Sequence, residues 1–232
     1  MSVDLTMSDG VGVLTLRRPP VNAVNLTLVD ELRAALERAR DDAQCAALVV
    51  TGGAGVFCAG VDTREVPAYD HRQRAAMLSG INRTVATLYG LSKPVVAAVS
   101  GHALGAGLVL VLACDLRIAA RGPFKLGLTE VEAGIPFPAG PLAVVQAELA
   151  PDRCRLLTLT GAVAPPDSPL LAGVIDEVVD AEVVLETARR QAQSLAAKRA
   201  FARVKLQVRG ATLDRLRRIV ERDEEPLLQG WT

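Results

Sequence analysis

One glutamate and two glycine-rich stretches hold the residues of this chain that can do chemistry. The glutamate is Glu130, within KLGLTEVEAGIPFP, and the stretches are GGAGVFCAGVD at 52–62 and GHALGAGLVLVLACD at 101–115. Small residues at Ala59, Gly105, Ala106 and Gly107 let backbone approach a ligand with little or no side chain in the way. Free amides in such turns, and at the start of a helix, stabilise a negative oxygen. A carboxylate brought to the same spot can move a proton on and off carbon. Together these parts suit reactions that pass through an enolate.

Each part also has a plainer explanation. Glu130 alone would suit the start of a helix, where an acid complements the dipole. Ala59 and Ala106 alone would pass as tight-packing residues. Asp62 can cap the turn that follows it. His102 beside the second glycine-rich turn is a structural side chain by type and place, and His71 sits in a polar, solvated stretch. Glu132, two residues beyond Glu130, is expected to face elsewhere. Cys58 adjoins Ala59, but no neighbouring group favours a thiolate. GHALGAG is not GxGxxG, which argues against a dinucleotide site.

Composition narrows the classes. The chain has 232 residues, 50% of them hydrophobic, enough for one globular core. Lys and Arg number 26 and Asp and Glu 26, so no whole-molecule field favours nucleic acid or a membrane surface. Aromatics at 3% give no base-stacking platform. Cysteines 45, 58, 114 and 154 show no CxxC spacing, which speaks against zinc or redox motifs and for buried thiols in a reducing compartment. No metal site is expected. The uncharged run Val95–Cys114 is long enough to span a bilayer, but it contains Ser100, His102 and three glycines, so a buried strand, a turn and a buried helix explain it better. No basic-then-apolar leader precedes the first expected strand, so the expected compartment is the cytoplasm.

The elements that must position these residues alternate. Strands are expected at Val11–Leu16, Ala46–Thr51, Val95–Val99, Leu116–Ala119 and Gly173–Val179. Between them, helices are expected over Leu28–Ala39, capped by Thr27 with Asp30, and over Arg74–Leu91, Gly107–Cys114 and Leu142–Leu149. Two more close the chain at about 181–200 and 211–225. The order implies an α/β fold with mostly parallel pairing.

With the elements in place, four segments in order match a known family. PPVNAVN (19–25), GVFCAGVD (55–62), KPVVAAVSGHALGAGLVLVLACDLRIAA (93–120) and GLTEVEAGIP (127–136) resemble the crotonase superfamily of enoyl-CoA hydratases and isomerases. The likeness covers about residues 3–210. Within the superfamily the compact PPVN turn, GLTE and IPFP are most similar to mitochondrial-type Δ3,Δ2-enoyl-CoA isomerases.

The resemblance implies a crotonase-type spiral of ββα units over 1–180 and a C-terminal helical region over 181–232 that assembles trimers or pairs of trimers. It implies an acyl-CoA thioester substrate, with coenzyme A part of that substrate and no separate cofactor. It implies an oxyanion hole of two backbone amides, by motif position Ala59 and Ala106, with Glu130 as acid and base. Ala23, Gly60, Val61 and Asp62 would line the path of the coenzyme, and Gly105, Val109 and Phe137 the acyl part. Leu128, Met77 and Leu78 are further acyl-tunnel candidates. Nine Lys and Arg lie between 198 and 222, and of these Lys205 and Arg209, with Arg17 elsewhere, are candidates for the coenzyme's phosphates.

One departure decides the subtype. A hydratase of this family would carry a second glutamate where this chain has Val109, and nothing acidic lies between Ser100 and Asp115. The chain is therefore expected to shift a double bond rather than add water. The alternatives are a hydratase or other enolate chemistry with Glu130 alone, and a CoA-ester binding protein with little turnover.

Overall fold

The computed structural model describes residues 1–53, 55–223 and 225. Residues 226–232, the end of the expected C-terminal region, lie outside the described residues.

The chain opens with a hairpin, β1 (Val3–Ser8) and β2 (Val11–Leu16), paired antiparallel across Asp9-Gly10. The first strand escapes a search for apolar runs because VDLTMS is half polar and its outer half is exposed. Next comes α1 (Leu26–Asp41), whose N-cap is Asn25, not Thr27; the Asn25 side chain accepts the Leu28 N–H at 2.9 Å.

From there the chain repeats a unit. β3 (Ala47–Thr51) and β4 (Gly55–Cys58) lead to α2 (His71–Gly90). β5 (Val95–Val99) and β6 (Gly101–Leu104) lead to α3 (Ala106–Leu112). β7 (Leu116–Ala120) and β8 (Leu126–Gly127) lead to α4 (Ala139–Glu148). In every unit the first strand joins a six-stranded sheet of order β1-β2-β3-β5-β7-β10, and the second joins a four-stranded sheet of order β4-β6-β8-β9. Successive units stack in parallel, so the result is a spiral of ββα turns. α2 starts three residues earlier than its apolar pattern because Asp70 and Gln73 form a capping box.

After α4 come α5 (Pro151–Thr160), a helix that the apolar pattern does not reveal, and the short strands β9 (Val163–Ala164) and β10 (Glu177–Val179). Only the last three residues of GVIDEVV form strand. The closing helices are α6 (Val184–Ala196) and α7 (Phe201–Arg222), so their junction lies near 197–200 rather than near 200–210.

The large sheet is buried on both faces. Leu48, Val50, Val95 and Ala97 pack toward α1 to α4. Ala47, Val49, Val96 and Ala98, one residue out of phase, pack against Val184, Ala188 and Ala192 of α6. This period of two, with both phases apolar, is why the central strands read as unbroken hydrophobic runs. Among the described residues no helix is long and apolar enough to cross a membrane.

Candidate active site

The small sheet builds the site. β4 and β6 pair in parallel, with a register break at Val56/Cys58, so the chain after Cys58 runs beside the turn after Leu104. The contact is too close for side chains. A Cβ on Gly107 would lie 2.3 Å from the Cys58 carbonyl oxygen, and one on Gly60 would lie 3.1 Å from that of Leu104. Asn22 ties the PPVN turn to the same segment, its side-chain amide donating to the Phe57 carbonyl at 3.0 Å.

β8 pairs with β6 through Ala103↔Leu126 and Leu104↔Gly127, and the Gly105 N–H donates to Gly127 at 2.9 Å. Three residues further on is Glu130. Its backbone is held by a turn in which Ala133 donates to Thr129 and Ile135 to Glu130, both at 3.0 Å. Gly105 has φ +51°, and a Cβ there would lie 3.4 Å from both Glu130 Oε1 and Thr129 Oγ1. Glycine at this position leaves open the space onto which those two oxygens converge.

That space belongs to a cavity of about 290 Å³ lined by Ala59, Gly60, Val61, Gly105, Ala106 and Glu130, with Thr63, Thr129, Glu132, Ala133 and Ile135. Burial pushes the Glu130 carboxyl up to about 7, and its Oε2 is buried without a hydrogen-bond partner. A carboxyl on the wall of a cavity, kept basic by burial, can exchange a proton with whatever fills that cavity.

Among the residues that line this cavity, Ala106 and Val61 carry main-chain N–H groups that are candidate donors. Ala106 is the first residue of α3, where an N–H has no partner within its own helix. Val61 pairs with Val24 in a single parallel bridge whose two hydrogen bonds run from Val24 to Gly60 and from Asp62 to Val24. Among the described residues the Val61 N–H therefore has no partner. Ala59 differs: its N–H donates to the Val21 carbonyl at 3.1 Å. The motif position pointed to Ala59, whereas the bonding leaves the amide two residues later free.

The other expected residues divide. Gly60, Val61 and Gly105 line the cavity. Val109 lines a second, apolar cavity that shares Ala106 as a wall. Ala23 and Asp62 line neither cavity. Burial raises the Asp62 carboxyl, but the amides of Glu65 and Arg64 and the Arg18 guanidinium at 2.8 Å outweigh this and hold it below the usual range. Asp62 is thus a turn cap and ion-pair partner. Phe137, half-buried, packs on the core and lines neither cavity; nor do Leu128, Met77 and Leu78, which are core side chains.

Lys205 and Arg209 correct the phosphate expectation. Both are buried in α7, with Lys205 Nζ 2.8 Å and Arg209 3.0 Å from the Asp115 carboxylate. Arg209 also lies 3.3 Å from Glu148 and stacks 3.9 Å above the Tyr89 ring. Arg117 pairs with the other Glu148 oxygen, and Asp115 accepts the Val95 N–H at 2.8 Å. Arg17, on the surface beside Asp4, borders a different cavity. His102 accepts the Lys125 N–H at 2.9 Å and meets Phe124 edge-on, as a structural histidine does. Burial pushes the Cys58 thiol up to about 12, which makes it a poor nucleophile. Glu132, expected to face away, lies at the cavity mouth. Thr63, Thr129 and Ile135 also escaped sequence reasoning, since no spacing rule marks a residue that only a fold brings to a rim.

Comparison with known proteins agrees with this architecture. A family model described as enoyl-CoA hydratase/isomerase matches residues 6–228. A probable enoyl-CoA hydratase of Mycobacterium tuberculosis is 33% identical over 194 residues, covering 80% of this chain and 73% of that protein. The 2,3-dehydroadipyl-CoA hydratase of Escherichia coli is 33% identical over 186 residues, covering 79% of this chain and 71% of its own. Among solved structures, human mitochondrial Δ3-Δ2-enoyl-CoA isomerase superposes with a TM-score of 0.88 at 28% identity, over 96% of this chain and 89% of that one.

Proposed function

The chain belongs to the enoyl-CoA hydratase/isomerase family, and from that premise we propose that it moves a carbon–carbon double bond of an acyl-CoA thioester from C3 to C2. The coenzyme arm enters along Gly60 and Val61, and the thioester oxygen meets the amides of Val61 and Ala106. Glu130 takes a proton from C2. The electron pair spreads as a dienolate, with charge on the thioester oxygen. The same carboxyl returns the proton to C4, and the double bond comes to rest beside the carbonyl. Loss of one donor from such a pair costs about 2.7–4 kcal/mol in other enzymes.

One observation carries this choice: among the described residues the only other acid lining this cavity is Glu132, two residues on in the same turn, so no second carboxylate comes from another element. Val109, where a hydratase of this family would carry its second carboxylate, is buried among apolar side chains. Adding water at C3 needs a group to hold and split that water, and valine offers none. A carboxyl that titrates near 7 is half ionised at neutral pH, suited to both accept and return a proton. The names of the relatives favour hydration instead, so both activities need measuring.

The experiment is direct. With a 3-enoyl-CoA, absorbance of the conjugated thioester should grow at a rate proportional to enzyme. With crotonyl-CoA, that absorbance should persist. Rapid loss of the crotonyl-CoA signal, with no conjugation of 3-enoyl-CoA, would make the chain a hydratase. Binding without either change would make it a CoA-ester carrier. Assembly of trimers through 181–232 remains part of this proposal and is measured by sedimentation.

A further inference from the structure

The side-chain charges on the wall of the Glu130 cavity are all of one sign. Two acids line it, Glu130 and Glu132, and among the described residues no lysine, arginine or histidine does. The rest of the wall is glycine, alanine, valine, isoleucine and threonine. The arginine bound to the residue after Val61 is already engaged: Arg18 pairs with Asp62 at 2.8 Å and with Glu65 at 2.7 Å.

Glu132 is the outer acid, exposed at the cavity mouth. Its stem packs across Gly161, where a Cβ would lie 2.6 Å from Glu132 Cγ and 3.3 Å from its Oε1. Gly161, with φ +62°, ends α5, and the C-terminus of a helix carries partial negative charge. That end of α5 therefore adds to the negative sign of the mouth and does not offset it.

We infer that Glu132, with Glu130, makes the site reject acyl groups that carry a carboxylate close to the reacting carbons, so that its substrates are acyl-CoA thioesters uncharged there. Glu132 is then a specificity-determining residue. The inference rests on the proposed function, in which Glu130 works from C2 to C4. A carboxylate attached to C4 would lie beside Glu130 in the same cavity, with no lining cation to neutralise it. Like charges sharing one site disfavour ionisation of both, so such an acyl group binds weakly or must take up a proton.

Binding tests this independently of turnover. Pentanoyl-CoA and glutaryl-CoA have the same number of acyl carbons and differ at C5, a methyl in one and a carboxylate in the other. Titrated into the full chain by calorimetry near neutral pH, with free CoA as reference, pentanoyl-CoA should bind at least about tenfold more tightly, because only glutaryl-CoA adds a like charge. The primary amide of glutaryl-CoA, polar but uncharged, should bind nearly as tightly as pentanoyl-CoA. Equal or tighter binding of glutaryl-CoA, or an amide as weak as glutaryl-CoA, would overturn the inference. Glu132→Gln should narrow the gap between pentanoyl-CoA and glutaryl-CoA by about threefold, the scale of one exposed charge pair, and Glu132→Lys should narrow it further. A gap unchanged in both folded variants would remove Glu132 from the selection and overturn the inference. If 3-enoyl-CoA is not conjugated while the binding ranking holds, the isomerase proposal fails and the charge selection stands. If conjugation is seen while glutaryl-CoA binds as tightly as pentanoyl-CoA, the inference alone fails.

Discussion

Two buried groups of carboxylates in this molecule have opposite fates. Asp115 and Glu148 sit under α7 among Lys205, Arg209 and Arg117, and their oxygens are taken up by ion pairs, amides and the Tyr89 hydroxyl. Glu130 lines a cavity with one oxygen buried and unpartnered, and among the described residues no cation pairs with it. The first arrangement spends its charge on holding a helix to the core. The second leaves its charge costly, and so available to a substrate proton. Burial is common to both; the difference lies in what neutralises the charge.

The largest expected effect tests the reactive member. Glu130→Gln keeps the shape and removes the base, so the rate of 3-enoyl-CoA conjugation should fall by about 10²–10⁴-fold, read from initial rates at saturating substrate. Full activity in this variant would end the comparison, because Glu130 would then be a second structural acid.

The next effect tests the structural member. Asp115→Ala strands Lys205 in the interior and leaves Arg209 only Glu148 as an acidic partner; removing one partner of a buried pair costs about 3–5 kcal/mol. Denaturant unfolding should show that loss. Turnover per folded molecule should be nearly unchanged, since these side chains do not line the cavity. A turnover defect at temperatures where Asp115→Ala is fully folded would show that the two regions are coupled.

The smallest effect concerns pH. Glu130 titrates at about 7 in the fold against an ordinary 4.5. Folding therefore favours its protonated form, a contribution complete below about pH 4.5 and lost as pH rises through about 7. Glutamine carries no such dependence. At pH 8.5 Glu130→Gln should be more stable than the parent by up to about 3 kcal/mol, a gap that closes toward pH 4.5. In the parent, the base must be ionised, so kcat/KM should fall as pH drops below about 7. An acid limb near 4.5 and equal stabilities at pH 8.5 would show that Glu130 is solvated like any surface acid.

The sequence by itself determined the inner strands of the large sheet, most of the helices and the two glycine turns; Glu130 was singled out by the likeness to a family, and the four-stranded sheet was not legible strand by strand. The inner strands, helices and turns follow from local rules: β-branched runs with both phases apolar, helical spacing of apolar residues, and glycine where backbones touch. Tertiary structure alone decided which amide is free. Ala59 and Val61 are two residues apart in one loop, but the partners that use or spare their N–H groups, Val21 and Val24, come from another segment. It likewise decided that Lys205 and Arg209 are structural. A basic helix presents no local sign of which cations turn inward, because the acids that neutralise them, Asp115 and Glu148, lie about 60 to 90 residues away in the chain. Hydrogen-bond bookkeeping and charge pairing are properties of neighbours in space, and spacing along a chain does not carry them.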